Sequence, residues 1–114
     1  MILTTEHGAI ETTTQGYLFN GSDWCEDFSY KTAERDGIKL YVDHWELIWY
    51  FREYYEANKT HPSMHQLVRT LGKSKGEHFH DQKAYEQHIY SLFPTDPINE
   101  LCKLAGLPMP PPDT

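Results

Sequence analysis

The alternation of apolar and polar positions divides the chain into a short β region and five helical segments. Within residues 1–19, Ala9, Ile10 and a run of threonines lead to Gln15-Gly16 and then to Tyr17, Leu18 and Phe19. That pattern predicts a small β-hairpin folded about Gln15-Gly16. A lone hairpin is only marginally stable, so it must pack on the helical part of the chain. Ser22 is a favourable N-cap, and the acidic Asp23, Glu26 and Asp27 behind it suit the positive end of a helix dipole. A first helix is therefore expected from Ser22, with Trp24 and Phe28 on one face, to a stop at Gly37 near Asp36. From about Val42 to Ala57, Trp45, Ile48, Trp49, Arg52 and Tyr55 recur at helical spacing, with Leu47, Phe51 and Tyr54 widening the stripe. A helix this aromatic belongs at the centre of a small core.

Asn58 to Pro62 reads as a turn. Ser63 can cap a third helix to Leu71, with Met64, Leu67, Val68 and Leu71 inward and His65, Gln66, Arg69 and Thr70 outward. Gly72-Lys73-Ser74-Lys75-Gly76 reads as a flexible basic loop. A fourth helix is expected from near Asp81 to before Pro94, with Tyr85, His88, Ile89 and Leu92 as its stripe. Asp96 as N-cap and Pro97 at the first helical position open a fifth helix to Ala105, which carries Cys102 and stops at Gly106. Beyond it the prolines favour an extended arm with little entropy to lose on docking. The expectation is a mainly α fold with a small N-terminal β-hairpin (α+β). One domain covers residues 1–106, and a flexible proline-rich arm covers 107–114.

Composition narrows the functional classes. The 114 residues include sixteen aromatics (8 Tyr, 5 Phe, 3 Trp), enough to build one core around rings. A net charge of −7 argues against a general nucleic-acid binder, which needs local positive charge. Two cysteines, Cys25 and Cys102, are too few for a disulfide framework and fit a reducing compartment. Neither a signal peptide nor an apolar run of membrane-spanning length is visible, so a cytoplasmic protein is expected.

Cys102 is the candidate chemical residue. Its position late in a helix disfavours a thiolate, Lys103 adjoins it, and Ile98, Leu101 and Ala105 share its helical spacing, which predicts burial. Cys25 lies near a helix start but among Asp23, Glu26 and Asp27, and reads as incidental. Glu77-His78-Phe79-His80-Asp81 and the His61/His65 pair lack a zinc-type spacing, so no metal and no cofactor are expected. No phosphate loop or nucleophilic triad stands out, and an independent enzyme is not expected.

Several stretches together resemble one family. They are Gly16-Tyr17-Leu18 with Asp23-Trp24, Asp43-His44-Trp45 leading to Phe51-Arg52-Glu53-Tyr54-Tyr55, Leu71-Gly72-Lys73, Tyr90-Ser91-Leu92-Phe93-Pro94, and Cys102-Lys103-Leu104-Ala105-Gly106-Leu107-Pro108-Met109-Pro110. In this order they resemble the DsrC/TusE family of sulfur-relay proteins, nearly end to end. The resemblance implies a small helical fold with an N-terminal hairpin and a mobile C-terminal arm. It also implies protein partners from a sulfur-relay or sulfite-reductase system. In that family the penultimate arm residue is a cysteine that carries sulfur, and fuller members have a second cysteine near the start of the arm. The TusE branch passes sulfur toward thiolation of the tRNA wobble uridine. Here Cys102 matches the upstream cysteine and Asp113 stands at the penultimate position, so the carrier cysteine of the arm is absent. The arm residues Leu107, Pro108, Pro110 and Asp113 would then dock without a thiol. Two versions are open: Cys102 carries sulfur alone, or the protein is a divergent, regulatory relative.

A second reading comes from another class. The second and third helices with their turn look like a helix-turn-helix, and Arg52, Lys59, Arg69, Lys73, Lys75 and Lys83 are six of the ten basic residues. His65, Gln66, Arg69, Lys73 and Lys75 would be its nucleic-acid contacts.

Overall fold

Two polar turns near the N-terminus compete to fold the first strand back, and the earlier one wins. In the computed structural model, which describes residues 1–74 and 82–110, strands β1 (Ile2–Thr5) and β2 (Gly8–Glu11) pair antiparallel with Ile2 opposite Glu11 and Thr5 opposite Gly8. The hairpin therefore turns at Glu6-His7, where Thr5 Oγ1 donates to the Gly8 carbonyl at 2.9 Å and accepts the His7 N–H at 3.2 Å. This corrects the expected turn position. Gln15-Gly16 does reverse the chain, but onto a single bridge between Thr12 and Leu18 rather than a second long strand.

The first helix also starts later than its best capping residue suggested. Asn20, not Ser22, caps a single 3-10 turn over Gly21–Asp23, its Oδ1 accepting from the Ser22 N–H at 3.1 Å. Trp24 then takes extended backbone, and helix α1 runs Glu26–Arg35. The break frees the Trp24 indole to reach a partner far along the chain. Gly37, at φ 75°, ends α1 as its sequence indicated.

Helix α2 spans Val42–Asn58 and buries Leu47, Ile48 and Phe51 completely. It also buries His44, which the apolar stripe did not announce. The His44 Nδ1 accepts the Tyr41 N–H at 3.2 Å, so Nε2 carries the proton it shares with the Leu92 carbonyl at 3.1 Å. Burial pushes the imidazole below its ordinary range, against the opposing pull of the Leu92 bond, and fits this neutral tautomer.

Helix α3 (Met64–Ser74) runs beyond Leu71 through Gly72. Gly72 is buried against the Tyr85 ring of helix α4 (Gln82–Leu92), so the packing of α3 on α4 overrides the weak helix propensity of glycine. Gly72, Lys73 and Ser74, expected in a loop, are therefore helical, and Lys75 and Gly76 lie outside the described residues. Helix α5 (Pro97–Leu104) opens as expected, with Asp96 accepting the Asn99 N–H at 3.4 Å and Pro97 in the first turn.

The main core joins Leu47, Ile48 and Phe51 of α2 to Leu67 of α3, Ile89 of α4, Phe93 just after α4, and Leu101 and Leu104 of α5. A smaller cluster of Ile10, Leu18 and Phe28 seats the hairpin on α1, and Trp24 touches both clusters. Helix α5 is short yet packs against α1, α2 and α4. Among the described residues no helix is long and apolar enough to cross a membrane.

Candidate functional site

A helix ends with unpaired carbonyls, and a buried end must find donors for them. The end of α5 finds them in three elements. Gly106, at φ 74°, adopts the left-handed conformation that closes the helix. Its N–H donates to the Lys103 carbonyl at 3.2 Å, and the Leu107 N–H donates to the Cys102 carbonyl at 2.9 Å. This is the paired closure of a Schellman motif. The Leu104 carbonyl accepts Trp24 Nε1 at 2.8 Å and Ser29 Oγ at 2.6 Å. The Ala105 carbonyl accepts Arg52 Nη1 at 2.7 Å. The Arg52 guanidinium also lies 3.9 Å from the centre of the Trp24 ring, whose other neighbour is Trp49, edge-on at 5.2 Å. A cation at the negative end of a helix, stacked on an indole, is favoured twice over.

Cys102 sits one turn inside this closure. It is fully buried among Leu101, Leu104, Ala105 and the α2 side chains. Burial, with a smaller contribution from the Asp96 charge, pushes its thiol up to about 12. Sulfur chemistry runs through the thiolate, so in this structure the sulfur is covered and favoured as the thiol. Beside α5, Tyr17 donates its hydroxyl to the Asn99 carbonyl at 3.2 Å, and burial pushes it too up to about 12.

Downstream of the closure, Leu107 and Pro110 are buried, while Pro108 and Met109 are exposed. A cavity of about 650 Å³ opens beside them, walled by Leu18, Phe19, Arg52, Tyr55, Lys59 and Leu107. A smaller one of about 190 Å³ continues along Pro108 to Pro110 with Tyr55, Lys59 and His61. Asp113 lies outside the described residues. Cys25 is half-buried and caps α1 through its backbone carbonyl only.

The alternative contacts divide. His65, Gln66 and Arg69 are exposed on α3, as any solvated helix face would be; Lys73 lies in α3, and Lys75 falls outside the described residues. Among the described residues no three His, Cys, Asp or Glu side chains gather in a metal-holding group.

The family model described as DsrC-like protein matches residues 4–112. The chain belongs to the DsrC-like family. Among its relatives is the protein named Sulfurtransferase TusE of Photorhabdus laumondii, 38% identical over 110 residues and covering 96% of both chains. The TusE of Escherichia coli K12 is 37% identical over 109 residues, again covering 96% of each chain. The fold matches the solution structure of Allochromatium vinosum DsrC with a TM-score of 0.83 at 32% identity, over 97% of both chains. It also matches the oxidized gamma-subunit of the dissimilatory sulfite reductase (DsrC) of Archaeoglobus fulgidus with a TM-score of 0.80 at 26% identity, over 97% of both.

In this DsrC-like fold, Cys102 and the start of the C-terminal segment are joined by one hydrogen-bonded closure. Sequence reading found Cys102 but missed Trp24, Ser29 and Arg52 as the groups that hold its helix. The available signal was that Trp24 and Arg52 fell in stretches resembling the family. Nothing local to those residues said what they bind.

Proposed function

We propose that this protein works as a DsrC/TusE-type sulfur-relay component, engaging protein partners in the cytoplasm through its helical body and C-terminal segment, with Cys102 as its sulfur-accepting thiol. What supports this reading is the likeness to the TusE sulfurtransferases along nearly the whole chain. It is joined by the attachment of Cys102 to the C-terminal segment through the Leu107 N–H. The partners in view are proteins of a tRNA-thiolation relay or of a sulfite-reductase system.

The chemistry requires only a donor persulfide. The Cys102 thiolate attacks the terminal sulfur of the donor. The donor S–S bond breaks, a persulfide forms on Cys102, and the donor leaves as a thiol with the proton released. No net oxidant is needed. The closed geometry makes the free protein slow in this reaction, and lifting Leu107 from the end of α5 makes it competent. The absence of an arm cysteine at Asp113 means the sulfur stays on the body and a partner must come to it.

The test is incubation with a small persulfide donor followed by intact mass spectrometry. A slowly formed adduct of one sulfur that persists in Cys25→Ser and disappears in Cys102→Ser is expected. No adduct on Cys102, under conditions that load a carrier with an exposed thiol, would leave only a partner-binding role.

A further inference from the structure

Besides the Trp24 and Arg52 bonds, α5 is fastened to the end of α1 by a cluster of charges. Lys103 Nζ lies 3.0 Å from Asp36 Oδ2 and 3.8 Å from Glu100 Oε1, and Arg35 Nε lies 3.4 Å from Asp36 Oδ1. The Lys103, Glu100 and Asp36 side chains are only 16%, 18% and 19% exposed. Glu100 Oε2 is covered and has no hydrogen-bond donor. A buried carboxylate oxygen without a donor is costly. The acid nearest to it by charge contacts is Asp36, which shares Lys103 with Glu100 and has no proton of its own to give.

We propose that Glu100 and Asp36 share one proton across the α5–α1 contact, and that this acid pair is a pH-sensitive latch holding α5, and with it Cys102, in the closed position. A proton on Glu100 Oε2 donates to Asp36 and removes the orphan acceptor. Burial first, then this bond to Asp36, pushes Glu100 up to about 7. Burial works against ionisation of Asp36. Its hydrogen bonds with Glu100 and Lys103, and the charges of Lys103 and Arg35, nevertheless hold it below its ordinary value. The other titratable groups near the pair are Asp96, which caps α5, Cys102 of α5 and Tyr17 before α1. Arg52 of α2 lies at the far end of the helix, on Ala105.

The sign is set by the raised Glu100. Below the ordinary carboxylate range both folded and unfolded chains hold the Glu100 proton and its part is full, while the lowered Asp36 loses its part as pH falls, so the pair is strongest between that range and about 7. As pH rises toward and through about 7 the folded chain loses the Glu100 proton, and the contribution goes. Helix α5 has 8 residues, so a loosened flank is felt at Cys102, two residues from Glu100.

The consequence for sulfur transfer rests on the proposed relay function; the latch itself does not. The experiment measures the rate of Cys102 alkylation by iodoacetamide in a Cys25→Ser background, with and without Glu100→Gln. Glutamine keeps a donor toward Asp36 at every pH. The ratio of the two rates cancels the ordinary gain in thiolate with pH. A ratio, native Glu100 over Gln, that rises severalfold from pH 6 to pH 8.5 is expected, and a ratio independent of pH overturns the latch. Carbon-13 titration of the Glu100 carboxyl in the unsubstituted protein decides independently if the variant folds poorly. An inflection near 7 is expected, and one in the ordinary carboxylate range overturns it. Neither measurement uses a persulfide, so failure of the latch and failure of the sulfur-relay reading are separate results.

Discussion

Replacing Gly106 by alanine adds one methyl group at the point where the α5 closure and the Trp24 indole meet. Two costs arise there. The φ of 74° lies in the left-handed region, where a Cβ costs roughly 1–2 kcal/mol. The added Cβ would also stand 2.7 Å from Trp24 Cδ1 and 2.9 Å from its Cβ, and overpacking of this kind costs about 1–3 kcal/mol. Trp24 cannot retreat without giving up its hydrogen bond to the Leu104 carbonyl and its place beneath Arg52. The combined loss is roughly 2–5 kcal/mol, a large share of the ~5–15 kcal/mol that stabilises a domain. Gly37 supplies the control. It has a φ of 75° but nothing within 4 Å of a built Cβ, so Gly37→Ala should lose only the backbone part, about 1–2 kcal/mol. Urea unfolding monitored by tryptophan fluorescence measures both, and Gly106→Ala should unfold at a midpoint lower than Gly37→Ala by about 1 M. Equal midpoints for the two variants would refute the claim that Trp24 closes tightly over the end of α5.

Arg52→Met removes the charged donor to the Ala105 carbonyl and the cation over Trp24, and should destabilise by about 2–3 kcal/mol, read from the same urea transition. His44 has its folded value depressed by burial, so its contribution is present above the ordinary histidine range and lost as pH falls through the folded value. Unfolding midpoints measured from pH 7 to pH 5 should therefore fall less in His44→Gln than in the parent. Phe51→Ala, at a site with no exposure, should cost roughly 3–5 kcal/mol by differential scanning calorimetry. With an aromatic disulfide reagent at neutral pH, Cys102 should react at least about tenfold more slowly than the half-buried Cys25, and urea should bring the two rates together.

What the sequence made legible was whatever neighbouring residues decide. The Asp96-Pro97 start and the Gly106 stop of α5 are local signals, and both lie where the pattern put them. The burial of Cys102 followed from the shared spacing of Ile98, Leu101 and Ala105. The hairpin was present but misplaced, because Glu6-His7 has weak turn chemistry and Gln15-Gly16 a strong one. The outcome was set by packing of β1 on α1 and by the Glu6 N–H bond to Asp27 at 2.8 Å. Gly72 read as a helix breaker, and only its contact with Tyr85 explains why α3 passes through it. The site was the least legible part. Trp24 and Leu104 are 80 residues apart, Arg52 and Ala105 are 53 apart, and Lys103 and Asp36 are 67 apart. No periodicity within a segment carries information on such pairs. His44 stayed hidden for the same reason, since its partner carbonyl belongs to Leu92.

The central claim is that Cys102 accepts sulfur only when the closure over α5 opens. The rate of persulfide formation on Cys102, in the parent and in Gly106→Ala, tests it most directly. The account predicts the same single-sulfur adduct in both proteins, formed about tenfold or more faster in the variant, since each 1.4 kcal/mol of lost closure is worth a factor of ten. Equal rates, or a variant that unfolds its closure and still takes no sulfur on Cys102, would contradict it.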